Sequence, residues 1–290
     1  MSKNKKTKEK KKKKNIPFII SAILFVSAGI GMCFYLLSLK EQEEEFEELR
    51  SKITVSTDME GDGSGSSAAQ GLDYYLIDGV VVQKEFKDLY LENSDTIGWV
   101  KAEDTTIDYP VVFKKGDEEY YSHKNFNKEY SFNGCIFGGG ATDIVTPSEN
   151  IIIYGHHIVG KRMFGALDFY EDEQYYKNHK YITFDTLRQT GKYEVIAVFR
   201  TKINTGDKKA FQYYEYTNMG KKNFDEYIEN IKNLTPYNIP TTAEYGDQLL
   251  TLSTCAYHTS NGRFVVVAKR IEGNEVDLSK KPIEEIKTEK

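Results

Sequence analysis

The stretch QLLTLSTCAYHTSNGRFVVVAKRIE (248–272) reads as two β-strands joined by a polar turn. QLLTLSTC (248–255) and RFVVVAKRIE (263–272) are apolar runs of strand length rich in β-branched residues, and AYHTSNG between them has the composition of a loop. Runs of the same kind recur toward the N-terminus: TIGWVKA (96–102), IDYPVVF (107–113), GCIFGG (134–139), NIIIYGH (150–156), KYITFD (180–185) and KYEVIAVFR (192–200). The spacing predicts helices over MFGALDFYEDEQYYKNH (163–179) and NFDEYIENIKNL (223–234), and another over 81–93, where Val82, Phe86, Leu89 and Tyr90 share a helical face. Helical insertions are too few for a βαβ alternation. Eight candidate strands therefore predict a mostly β, mainly antiparallel barrel or sandwich with peripheral helices.

Outside this unit the chain divides by charge. Its 290 residues carry a net charge of -5, but residues 1–15 hold nine lysines and one glutamate, a charge of +8, which leaves -13 on residues 16–290. Between the two lies IPFIISAILFVSAGIGMCFYLLSL (16–39), 24 residues without a charge. As a helix it is about 36 Å long, enough to cross a hydrocarbon core of about 30 Å. It exceeds the apolar region of a cleavable signal peptide and no small-x-small cleavage site follows it, so an uncleaved signal anchor is expected. Lysines before it and six glutamates within 41–48 put the amino end in the cytoplasm and the rest outside. The lysine run then serves topology and attraction to anionic membrane lipid, and no nucleic-acid partner is expected. Residues 40–72 read as an extracellular stalk and linker, 73–272 as the folded unit, and 273–290 as a polar tail whose last dozen residues, SKKPIEEIKTEK, are expected to fray.

Three cysteines give neither a disulfide scaffold nor a four-cysteine zinc site, and HExxH is absent. No metal or organic cofactor is expected. Cys255 ends its strand at the sheet rim, Arg263 opens the next one, and His156 ends NIIIYGH, where Gly155 permits bending or close approach. If the three strand ends meet, thiol, imidazole and guanidinium form the equipment of nucleophilic acyl transfer. The thiolate attacks, the histidine protonates the leaving amine, and the arginine holds a carbonyl or oxyanion. The alternatives on residues alone are a buried apolar Cys255 or a Cys135–Cys255 disulfide. His156 and His157, adjacent on a strand, point to opposite faces, while His123, His179 and His258 sit in polar surroundings and read as solvated.

TLSTC followed by Arg263 in GRFVVVAKR, with NIIIYGHH and MFGALDFY upstream, resembles the class B sortases, and LYLENSDTIGWVKAEDTTIDYPVVF and YYSHKNFNKEYSFNGCIFGG extend the likeness to about residues 75–272. The resemblance implies an eight-stranded sortase-type β barrel with an N-terminal helical extension, behind a single transmembrane helix. It implies Cys255 as nucleophile, His156 as general acid/base and Arg263 as substrate or oxyanion stabiliser, with Tyr154 and Ser253 as pocket residues. The implied reaction is transpeptidation. A C-terminal sorting motif of a secreted protein, Asn-Pro-x-Thr-Asn or a relative of it, is cleaved after threonine through a thioester. The acyl group then passes to a peptidoglycan crossbridge or stem-peptide amine, or to a pilin lysine. Cys135 becomes a buried filler. A membrane-anchored binding module that keeps this fold without activity would not need all three residues.

Overall fold

The computed structural model describes residues 3–53, 71–140, 142–145, 147–158, 160–203, 206, 211–255 and 261–288, with side chains throughout except at 3–16 and 255. Residues 54–70 of the expected stalk and linker (40–72), and the solvated His258, lie outside the described residues. Contacts divide the chain into two units, Met1–Glu45 and Phe46–Lys290. Helix α1 (Lys3–Ser51) opens the chain, and among the described residues Pro17–Ser51 is the one helix long and apolar enough to cross a membrane. Within the first unit Phe18, Phe25 and Phe34 are exposed, as lipid-facing side chains would be.

In the second unit, β1 (Tyr74–Ile77) and β2 (Val80–Gln83) form a hairpin. Their two-residue turn, Asp78-Gly79, has φ of +47° and +84°, the left-handed pair that fits the twist of such ribbons. Helix was expected from residue 81, but only α2 (Lys87–Glu92) is α-helical. Val82, Phe86 and Leu89 are all buried, so an apolar spacing that suits a helix is met instead by a strand, a 3-10 turn and a short helix in succession.

The remaining elements follow in order: β3 (Thr96–Lys101), β4 (Asp108–Val112), β5 (Ile136–Gly138), β6 (Asn150–Gly155), β7 (His157–Ile158), β8 (Arg162–Met163), α3 (Glu173–Asn178), β9 (Tyr181–Thr186), β10 (Lys192–Lys202), α4 (Lys221–Leu234), β11 (Leu249–Cys255), β12 (Gly262–Glu272) and β13 (Glu285–Ile286). Eight of them close a barrel in the order β10-β12-β11-β6-β5-β4-β3-β9. Its pairings are antiparallel except β4–β5 and β6–β11. These eight are the eight predicted runs, and closure leaves the barrel without free edges. Ile151, Ile153, Trp99, Leu250, Leu252, Val265 and Val267 are wholly buried. The stretch predicted as helix over 163–179 is a 3-10 segment, Phe164–Glu171, before α3, whose start Asp172 caps by accepting from Gln174 N and Tyr175 N.

Among the described residues the C-terminal segment is paired to the body of the second unit, where fraying was expected. β13 pairs in parallel with β1, Leu72 N donates to Glu275 O (2.8 Å), and Ile283 N donates to Tyr74 O (2.7 Å). These are backbone bonds, which a polar side-chain pattern does not announce.

From Phe46 onward, α1 belongs to the second unit. Phe46 is buried with its ring 5.0 Å from that of Tyr109 in an edge contact, and Arg50 Nε donates to Asp108 O (3.0 Å). Truncating a buried phenylalanine costs about 3–5 kcal/mol. Phe46→Ala is therefore expected to lower Tm by roughly 6–20 °C, on about 2–4 °C per kcal/mol for a domain of this size. Thermal denaturation of the full-length protein in detergent checks this, and an unchanged Tm would mean that the last turn of α1 is not part of the folded body.

Candidate active site

β11 lies between β12 and β6, and this order decides which strand ends meet. On the antiparallel side Cys255 is the Cα partner of Arg263. On the parallel side Thr254 is the partner of Gly155, so Cys255 and His156 each follow next on their strands. Neighbouring strands lie about 4.8 Å apart. Three adjacent strands thus bring the backbone of Cys255, His156 and Arg263 to one rim; the Cys255 side chain lies outside the described residues.

Gly155 leaves room for Ile136 and Phe164 to pack beside this rim. A Cβ there would collide with Ile136 Cδ1 and come within 2.8 Å of the Phe164 ring. Thr254 Oγ1 donates to Gly155 O at 2.8 Å, which locks β11 to β6 one residue before the rim.

His156 is partly buried, and its Nε2 lies 2.7 Å from Ser122 O. A carbonyl accepts and never donates, so Nε2 carries a proton and the neutral ring keeps its lone pair on Nδ1. The same loop supplies His123, whose ring centroid is 5.7 Å from that of His156 and 6.5 Å from that of Tyr130. His123 is exposed, as expected of a solvated residue, and its ring reaches His156 from the 3-10 turn Tyr120–His123. His179 differs from expectation: it is half-buried, stacking on Tyr175 at 4.0 Å with its Nδ1 2.8 Å from Tyr175 O.

Arg263 Nη1 donates to Gly262 O at 2.9 Å. Tyr154 and Ser253 are Cα partners across the β6–β11 ladder. Ser253 is buried, its Oγ 2.6 Å from Tyr213 Oη, and the Tyr154 ring lies tilted against that of Phe137 with centroids 5.8 Å apart. Burial pushes the Tyr154 phenol well above its ordinary range; Tyr213 adds to the shift and the positive Arg263 opposes it. Tyr154 is therefore a neutral hydroxyl at physiological pH. Tyr213 was missed from the sequence, although the aromatic run FQYYEY (211–216) between β10 and α4 was the available signal. Cys135 is wholly buried just before β5. Among the described residues no cluster of His, Cys, Asp and Glu could hold a metal ion.

This barrel is matched by proteins already known. The Sortase domain family matches residues 100–271. The chain belongs to the sortase family. Sortase B of Staphylococcus aureus is 31% identical over 193 residues, covering 66% of this chain and 76% of that protein. Sortase B of Listeria monocytogenes is 30% identical over 192 residues, covering 66% and 75%. Among solved structures, a Staphylococcus aureus sortase B–substrate complex superposes with a TM-score of 0.66 at 26% identity, over 81% of this chain and 99% of that one. The sortase described here is of class B, a cysteine transpeptidase on an eight-stranded barrel. Among the described residues one candidate membrane-spanning helix precedes that barrel in the sequence.

Proposed function

We propose that this sortase anchors secreted surface proteins to the cell wall, with Cys255 as nucleophile, His156 as general acid and base, and Arg263 as the stabiliser of the substrate carbonyl. The observation that carries the reading is the register in which Cys255 stands beside Arg263 on one side and follows Thr254, the partner of Gly155, on the other.

His156 Nδ1 takes the Cys255 thiol proton, and the thiolate so formed attacks the threonine carbonyl carbon of a sorting motif. A C–S bond forms and the oxygen takes the negative charge, which Arg263 donors meet. The tetrahedral centre then collapses, the threonine C–N bond breaks, and the imidazolium of His156 gives its proton to the departing amine. A peptidoglycan amine next attacks the thioester, surrenders a proton to His156 and expels the thiolate. Because Nε2–H is held on Ser122 O, Nδ1 is the nitrogen that exchanges protons. Tyr154 and Ser253 line the motif's pocket.

Residues 1–15 form the cytoplasmic tail, 16–39 the single-pass signal anchor, 40–72 an extracellular connector whose helical part from Phe46 already packs in the folded unit, 73–272 the catalytic unit and 273–290 a C-terminal tail that pairs with β1 through β13. Support for the anchor is the apolar, exposed helix and the basic flank before it.

The test uses full-length protein in detergent with fluorogenic peptides carrying Asn-Pro-x-Thr-Asn and variants at each position. Scission after threonine is expected, and added hydroxylamine diverts the acyl group to a threonyl hydroxamate. Scission elsewhere, or scission without hydroxamate, overturns the thioester route. A panel of crossbridge, stem-peptide and lysine amines then identifies the acceptor.

A further inference from the structure

His157 and Asp168 stand apart from the three groups assigned to the reaction, yet they tie down the backbone that leaves His156. His157 Nε2 lies 2.7 Å from Asp168 Oδ2, and Lys161 Nζ approaches the same oxygen at 3.8 Å. His157 opens β7, whose ladder with β8 is two pairs long: His157 with Met163 and Ile158 with Arg162. A two-stranded ribbon is marginal by itself. This one also carries left-handed backbone at Gly160, Lys161 and Met163, with φ of +82°, +63° and +51°.

Asp168 sits on firmer ground. It belongs to the 3-10 segment Phe164–Glu171, in which Phe164, Leu167 and Tyr170 are wholly buried. The end of that segment is fastened to β10, since Arg200 Nε and Nη2 donate to the Glu171 carboxylate at 2.9 and 2.8 Å. Its start meets the residues around His156 directly. Phe164 N donates to His156 O at 3.1 Å, and a Cβ on Gly165 would come within 2.7 Å of Ile158 O. Asp168 Oδ1 is buried without a hydrogen-bond partner among the described residues, which leaves Oδ2 as the oxygen that engages His157 and Lys161.

We infer that the His157–Asp168 pair is a positioning device for His156. His157 N–H donates to a carboxylate carried by a core-anchored segment, a charge-assisted bond stronger than a neutral one. The weak ribbon after His156 is thereby referenced to the barrel, and the His156 ring is held where Ser122 O and the rim require it. Their role is to act through His156, and the pair itself is made by His157 Nε2 and Asp168 Oδ2. The inference rests on the reading of His156 as acid and base, and its cost if broken is geometric: about 1 Å of misplacement can cost 10²-fold in rate.

The experiment compares Asp168→Ala, His157→Ala, the double variant and His157→Gln, each in the full-length protein in detergent, on the peptide that wild type cleaves. Each alanine variant is expected to lower kcat about 10- to 100-fold with KM within about twofold. The double variant should be no slower than the worse single one, and His157→Gln, whose amide still donates, should recover most of the rate. A second readout needs no substrate: with ¹⁵N-labelled histidine, the His156 Nε2–H signal protected by Ser122 O should weaken in Asp168→Ala. Unchanged kcat, with or without a fall in Tm, overturns the inference, as do losses that add in the double variant. If wild type cleaves no peptide, the functional reading has failed, and the nitrogen signal still decides the positioning.

Discussion

Cys255→Ala in the full-length protein is expected to abolish peptide scission and hydroxamate formation while leaving Tm unchanged. Covalent catalysis offers no substitute for a missing nucleophile, and removal of one in comparable machinery costs on the order of 10⁴-fold or more. The other two sulfurs cannot take over: Cys135 is wholly buried and Cys33 lies within the candidate membrane helix. Alanine on β11 keeps the Cα pairing with Arg263, since that pairing is made by backbone groups. Initial rates on the threonine peptide, with Tm as the control for folding, measure the effect. Activity above about 1% of wild type would exclude Cys255 as the nucleophile, because the expected loss is at least a hundred times larger than that allows.

The barrel was legible because a strand buried on its inner face must announce itself in apolar residues. NIIIYGH and FVVVA did so without ambiguity, and their order in the barrel follows from two parallel pairings among antiparallel ones. Elements held by other forces were harder to see. The β1–β2 hairpin was announced only by Asp78-Gly79, and the helical spacing of Val82, Phe86 and Leu89 competed with that signal. β13 is attached through backbone bonds, for which SKKPIEEIKTEK carries no side-chain pattern. At the site, Cys255, His156 and Arg263 stand at strand ends, where period and register determine neighbours. Ser122, His123 and Tyr213 arrive on loops whose path depends on the whole fold. The His157–Asp168 contact joins residues eleven apart across a ribbon with three left-handed positions, a path no periodicity encodes.

Arg263→Lys is expected to lower kcat on the threonine peptide by about 10²- to 10³-fold, the loss typical of removing an oxyanion donor. The substitution keeps the positive charge, so a role limited to attracting a thiolate or raising the local potential predicts little change. Arginine differs by its planar fork of five donors, whereas lysine offers a compact charge on a flexible stem. In this barrel Arg263 is the Cα partner of Cys255 on one side and of Thr201 on the other, so its guanidinium starts from a backbone fixed by two ladders. One donor is committed to Gly262 O, and its charge is felt at Tyr154, whose phenol it acts to lower against the larger effect of burial. The kinetic split separates the two roles left open by position alone. A fall in kcat and kcat/KM together places the interaction in the transition state, on the oxyanion. A rise in KM with kcat intact instead means that Arg263 holds the motif in the ground state and the oxyanion is met elsewhere, by backbone N–H groups at the rim. Wild-type rates in Arg263→Lys would remove the guanidinium from the mechanism and leave Cys255 and His156 to carry it.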